Sequence, residues 1–128
     1  LRLATKESGL FFKQMQVGLT TGFGGSERLG RLVGVDQAKK LLLTCAKLSA
    51  EKSLELGLFH EVYATKEDLE AALTQRIASW KAIDPYVLAQ QKLLFSPGVS
   101  PSLKTELASF AGLWHGEAHK NFLQRFRK

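Results

Sequence analysis

The sequence predicts an α/β fold in which this chain is mostly α-helical, with two or three short strands. Three observations predict it. Only the runs 1–4, 10–12 and 61–63 look β-prone. From Thr65 onward, four helical patterns follow one another through short connections. Between these regions, Gly22, Phe23, Gly24 and Gly25 lead directly into an amphipathic run. Two or three short strands cannot make an independent sheet with a buried face, so the chain is expected to be part of a larger fold. Leu1 is the first residue and Met15 the sole methionine, which suggests a processed chain or a piece of something longer.

Taken in order, Leu1 to Ala4 alternates apolar and polar residues, as a half-buried strand does. Lys6 to Gly9 reads as a turn, and Leu10, Phe11 and Phe12 as a second strand. After Gly25 the chain turns helical, with Leu29, Leu32 and Val33 as one apolar stripe and Gly34 as its C-terminal glycine. Asp36 is a plausible N-cap for a helix over 37–45. Cys45 then falls in an apolar helical run, where a thiol packs as a small hydrophobe. Ser49 caps a short helix ending at Gly57, and Glu61 to Tyr63 is the third strand candidate. Thr65 with Asp68 three residues on is a capping box. Leu69, Ala72, Leu73, Arg76, Ile77 and Trp80 then recur at helical spacing, predicting a helix of roughly 18 residues with one wet face. Asp84 and Pro85 open the next helix, with proline at the first helical position. It runs from Val87 to Phe95 and stops at Ser96, Pro97 and Gly98. Ser100 and Pro101 repeat the start signal, and Leu103, Leu107, Phe110 and Trp114 follow at helical spacing. Gly116 breaks that run, and a last basic helix covers 117–127. The composition shifts near Ala64, which divides the chain into residues 1–63 and a helical subdomain over 64–128.

The chain has 128 residues, enough for one domain, and an ordinary globular composition. No run of about 18 apolar residues exists, so no membrane span is expected. No charged segment followed by an apolar core marks a signal peptide. A lone cysteine cannot form an internal disulfide, and a reducing, intracellular compartment is the simplest reading. His60, His115 and His119 are scattered without metal-ligand spacing, so no metal site is expected. The formal charge is +6, and Lys120, Arg125, Arg127 and Lys128 crowd the end. That crowding fits a solvated helix terminus, a phosphate site or a nucleic-acid patch. Nucleic acid ranks last, because aromatic interleaving is sparse and no RNA-binding motif is present.

The glycine stretch is the chemically informative one. Glycine admits close approach to the backbone, and free N–H groups at the start of the next helix gather positive partial charge. Such a loop can hold an oxyanion, a phosphate or a polarised water. The run from Gly22 to Gly34, with Ser26, Arg28, Leu29, Arg31 and Leu32 between, resembles the enoyl-CoA hydratase/isomerase (crotonase) family. The segments 38–43, 48–51 and 54–62 continue that resemblance in order and spacing. It implies the crotonase spiral (ClpP/crotonase-like) fold in part: residues 1–63 as the end of the spiral core, residues 64–128 as a helical trimerisation subdomain. It also implies an acyl-CoA substrate, no separate cofactor beyond the coenzyme A it carries, a homo-oligomer (trimer or hexamer), and no nucleic-acid or membrane partner. The compartment would be the cytoplasm, or a mitochondrion or peroxisome in a eukaryote.

In the family two backbone N–H groups form an oxyanion hole for the thioester carbonyl, and by the resemblance both lie upstream of Leu1. One catalytic glutamate is upstream as well. The other belongs to a Pro-Glu pair whose positions here hold Lys13 and Gln14. A carboxylic acid can move a proton near neutral pH, whereas a primary amide only donates and accepts hydrogen bonds. Gln14 and Gly22 are therefore the candidate catalytic positions, the alternative for Gln14 being a surface residue at a strand end. Thr21 stands where the family usually has proline. Trp114, Gly116 and Ala118 resemble the ethylmalonyl-CoA decarboxylase branch, which also lacks the Pro-Glu pair; the plainer reading of Trp114 is a core aromatic. Phe122 and Arg125 match the family's closing Phe-x-x-Lys/Arg, whose cation the resemblance puts near the coenzyme A phosphates; Arg125 and Phe110 are the candidate coenzyme A contacts. The resemblance implies an enzyme of the hydratase/isomerase kind, alternatively a malonyl-type decarboxylase or a non-catalytic binding or trimerisation module. The 128-residue chain alone is expected to be inactive.

Overall fold

The computed structural model describes residues 1–95 and 103–125. The expected helix stop at Ser96, Pro97 and Gly98, the restart at Ser100 and Pro101, and the cations Arg127 and Lys128 lie outside the described residues. The chain divides into two compact units, Leu1–Leu73 and Thr74–Lys128.

The first unit holds four three-residue strands. β1 (Leu3–Thr5) and β4 (Glu61–Tyr63) pair in parallel, with Ala4 opposite Val62. β2 (Gly9–Phe11) and β3 (Lys47–Ser49) pair antiparallel, with Leu10 opposite Leu48. A turn closed by the Ser8 N–H on the Thr5 carbonyl at 3.0 Å leads from β1 to β2. A side chain at Gly9 would put its Cβ 2.9 Å from the Leu48 carbonyl oxygen, so the close approach of the two strands requires glycine there. β3 is absent from the sequence expectation. One apolar residue between two polar ones gives almost no local signal, and such a strand exists because its cross-strand partner holds it.

α1 (Gly25–Val33) and α2 (Val35–Leu43) meet at Gly34, whose N–H caps the Gly30 carbonyl at 2.9 Å. Leu29, Ala38, Leu41 and Leu58 form the buried cluster of this unit, with Leu10, Val33 and Leu48 packed against it. The expected stripe of α1 is thus narrower than predicted: Leu29 and Val33 face the cluster, while Leu32 is 44% exposed. The N-cap of α2 is Gly34, not Asp36, which sits inside the first turn. There its carboxylate still meets the positive end of the helix. α2 also ends earlier than expected. Cys45 lies beyond it with φ 48, a left-handed backbone that no helical run allows. The Thr44 hydroxyl donates to the Lys40 carbonyl at 2.7 Å, one of the local bonds by which threonine loosens a helix end.

Ser49 Oγ accepts the Lys52 N–H at 3.2 Å and starts α3 (Ala50–Glu55) as expected. The buried Ser53 hydroxyl is satisfied by the Ser49 carbonyl at 2.8 Å. The capping box at α4 (Lys66–Lys81) is also observed: Asp68 N–H donates to Thr65 Oγ1 at 3.1 Å, and Thr65 N–H to Asp68 Oδ2 at 3.2 Å. The division between units falls within this 16-residue helix, none of whose residues is buried.

In the second unit, Asp84 Oδ1 accepts the Tyr86 N–H at 2.8 Å and opens α5 (Pro85–Leu93). α6 (Leu103–Leu113) is linked to α5 by a hydrogen bond from Ser109 Oγ to Gln90 Oε1 at 3.3 Å. A turn with His115 at φ 59 leads to α7 (Glu117–Gln124), for which Gly116 is the N-cap. No helix of the described residues is long and apolar enough to cross a membrane.

Candidate functional site

Between β2 and α1 the backbone makes a 3-10 helix over Gln14–Val17, closed by Gly18 at φ 74. Phe12 N–H bonds the Ala46 carbonyl at 3.0 Å just before it, and Leu19 N–H bonds the Gln14 carbonyl at 3.0 Å just after. Gln14 is therefore fixed at the head of a helical turn, not at a strand end, and it is half-buried. Its Oε1 is fully enclosed and has no hydrogen-bond partner among the described residues. A buried acceptor left unsatisfied costs about 1–3 kcal/mol. Sites that carry such a cost are candidates for function rather than for packing.

Gln14 lines a small cavity of about 170 Å3 whose other walls include Met15, Leu19, Thr21, Leu42 and Leu43. The walls come from the 3-10 helix, the stretch following it and the end of α2. Sequence reasoning singled out Gln14 but none of the apolar wall. Met15, Val17 and Gly18 carried the available signal, a short apolar turn ending on a glycine.

The cavity reaches Thr21, the residue before Gly22, but Gly22 itself is not among its walls. The glycine loop then folds tightly. The Gly25 N–H bonds the Gly22 carbonyl at 2.9 Å, and Phe23 and Gly24 take successive left-handed conformations at φ 54 and φ 72. Phe23 points entirely into solvent. Gly24 is the N-cap of α1 and makes no side-chain cap bond, so glycine permits the turn and offers no side chain to the N–H groups that follow Gly25. Gln14 and the entry to this loop therefore share one wall. Chemically, that wall offers an amide and, beyond Gly24, a positively polarised helix start.

The other two candidate residues lie in the second unit and line different cavities. Phe110 borders one of about 360 Å3 together with Val87, Gln91, Glu106 and Leu113. Its ring lies 5.1 Å from that of Trp114. Trp114 itself is 51% exposed, so it is not the core aromatic of the plainer reading. Arg125 borders a cavity of about 430 Å3 with Ile83, Asp84, His119, Asn121 and Phe122. The expected Phe122 and Arg125 pair thus does share one recess.

The turn at Gly116 also brings together histidines that look scattered in sequence. The rings of His115 and His119 lie 5.8 Å apart, and His119 meets Trp114 edge-on at 4.7 Å. Among the described residues, no group of three or more His, Cys, Asp or Glu side chains is placed to hold a metal ion.

Comparison with known proteins gives this geometry its context. The enoyl-CoA hydratase/isomerase family model matches residues 1–125. A short-chain-enoyl-CoA hydratase of Clostridium acetobutylicum is 30% identical over 84% of the chain and 41% of its own length. An ethylmalonyl-CoA decarboxylase of Xenopus laevis is 31% identical over 99% of the chain and 44% of its own length. The chain thus spans less than half the length of the curated relatives it matches. Among solved structures, an enoyl-CoA hydratase from Bacillus anthracis superimposes with a TM-score of 0.85 at 28% identity, covering 99% of this chain and 50% of that one. An enoyl-CoA hydratase from Thermoplasma volcanium superimposes with a TM-score of 0.82 over 100% of this chain and 52% of its own, sharing the fold at 24% identity. The fold is the crotonase fold, carried here in part, and the chain belongs to the enoyl-CoA hydratase/isomerase family.

Proposed function

We propose that this chain forms part of an enzyme that acts on an acyl-CoA thioester through an enolate stabilised by an oxyanion hole. Membership of the family and the glycine loop at the open end of α1 support that reading. Electrostatic stabilisation of a developing oxyanion usually contributes most to such a reaction. In this reading Gln14 contributes hydrogen bonds and no proton, because its amide has no titratable hydrogen near neutral pH.

The amide of Gln14, which can hold a hydrogen bond but move no proton, is the observation that carries the argument further. It favours a second, more specific reading, decarboxylation of a malonyl-type thioester. There the bond to the carboxylate carbon breaks, its electron pair moves into the thioester carbonyl to form the enolate, and CO2 leaves. No general base is needed to begin, and a desolvated pocket favours loss of the charged carboxylate. The similarity to an ethylmalonyl-CoA decarboxylase over 99% of the chain also supports it. Hydration, by contrast, must move a proton and a water, which an amide at position 14 does not do.

The test uses the complete protein that carries this chain, with crotonyl-CoA and ethylmalonyl-CoA as substrates. Decarboxylation with near-background hydration is the expected pattern, and Gln14→Glu should raise hydration. Hydration well above buffer in the unaltered protein would overturn the role given to Gln14. Acyl-CoA binding without turnover of either substrate would point to a non-catalytic binding module.

Arg125 and Phe122, in one recess of the second unit, are the proposed contacts for the phosphate end of coenzyme A, with Phe110 the further contact assigned to the substrate. Arg125→Ala should weaken acyl-CoA binding by about 1–3 kcal/mol, the scale of one lost charge-assisted hydrogen bond. The exposed faces of Leu107, Phe110 and Trp114 support self-association of the helical segment, and sedimentation should find a trimer or a hexamer.

A further inference from the structure

Both ring nitrogens of His60 face donors of Arg2. The Arg2 backbone N–H donates to His60 Nδ1 at 2.9 Å, and Arg2 Nη2 lies 3.4 Å from Nε2. The return bond runs from the His60 N–H to the Arg2 carbonyl at 2.8 Å. The Arg2 guanidinium then donates through Nε to the Leu58 carbonyl at 2.6 Å and through Nη2 to the Gly57 carbonyl at 3.0 Å. These bonds stand immediately before the first paired residues of β1 and β4, Leu3 and Glu61. An imidazole nitrogen thus does what a backbone carbonyl does in a regular ladder. The clasp also reaches the core, because Leu58 belongs to the buried cluster.

We propose that the Arg2–His60 clasp is a pH-sensitive latch, in which the imidazole bond to the start of β1 forms only while His60 is neutral. A neutral imidazole accepts at one nitrogen and carries a hydrogen on the other. With Nδ1 accepting from Arg2, that hydrogen sits on Nε2. Protonation adds a hydrogen at Nδ1 that points straight at the Arg2 N–H, and it sets a second cation beside the guanidinium. The first rung then loses its acceptor, and the guanidinium is pushed from the two carbonyls it spans.

The charged side chains facing the ring are Arg2 and the Glu61 carboxylate of β4. The Arg2 guanidinium opposes protonation and Glu61 favours it. Partial desolvation of the ring, followed by Arg2, holds His60 below its ordinary value of 6.5. Because the folded value is the lower one, the latch contributes its full stability above 6.5. That contribution is lost as the pH falls from there through the folded value.

The measurement is nuclear magnetic resonance on the complete protein, following the His60 ring nitrogens and the exchange of the Arg2 amide against pH. The expected result is a ring hydrogen on Nε2 and a midpoint below 6.5. Arg2 amide protection, corrected for intrinsic exchange, should fall about two- to tenfold on protonation, the size of one net hydrogen bond. His60→Asn removes the titrating group and supplies a carbonyl acceptor, so protection should stop depending on pH. A midpoint at or above 6.5, a hydrogen on Nδ1, or the same pH dependence in His60→Asn would overturn the proposal.

Discussion

The two units of this chain solve the burial problem differently. In Leu1–Leu73 the apolar residues close on one another: Leu29, Ala38, Leu41, Leu58, Ala4 and Ala50 are buried, and the strands and short helices are arranged around them. In Thr74–Lys128 helices follow one another and Asp84 caps α5, yet no described residue is buried and several large apolar side chains stay open, among them Leu93 at 50%, Leu107 at 56% and Phe110 at 57% exposed. Local helix signals and a buried core are therefore separable. Caps and spacing are satisfied within a few residues, whereas a core needs partners on every side. The helical region carries the first property without the second.

The sharpest way to break this comparison is to truncate one leucine in each unit. Leu41 is 3% exposed in the core cluster, so Leu41→Ala should cost about 2–5 kcal/mol, read from the urea midpoint of the first unit. A matched Leu107→Ala alters an open surface and should stay within about 0.5 kcal/mol at a concentration where the protein does not associate. Equal costs at the two sites would mean that the helices of the second unit are as well packed as the core. Between these extremes, Asp84→Ala removes the N-cap of α5 and should cost about 1 kcal/mol in helicity measured by circular dichroism.

The smallest effect expected is electrostatic and belongs to the first unit. Hydrogen bonds from its own backbone N–H and from the Ser49 side chain hold the Glu51 carboxyl below its ordinary 4.5. A carboxylate held below its unfolded value adds stability above 4.5 and loses it as the pH falls through the folded value. Glu51 is exposed, so the change is small. Glu51→Gln should flatten the acid limb of the first unit's stability profile and leave its neutral region unchanged. A steeper acid limb in the variant would contradict the assignment.

Much of the helical layout was legible in the sequence because helix starts are local. Ser49, Thr65 and Asp84 each bond an N–H two or three residues on, and each lies where the sequence puts it. The failures share a different cause. Asp36 looked like a cap, but Gly34 already turned the chain. Cys45 looked helical, yet α2 ended before it. The first depends on the junction with α1, the second on Thr44 and on the strand pairing that begins at Lys47.

By itself, then, the sequence determined what depends on a few consecutive residues: the caps, the glycine loop at 22–25, the helical periods, and the amide at position 14 that excludes proton transfer from that position. The tertiary structure decided what depends on distant residues. It paired Leu10 with Leu48 and so made a strand of 47–49. It enclosed Gln14 Oε1 behind a wall that includes Leu42 and Leu43. It set the His60 ring against Arg2, 58 positions away. Strand pairing, enclosure and a side chain's protonation state are all set by which atoms displace water from a group. No local pattern records that, because the atoms come from residues tens of positions apart.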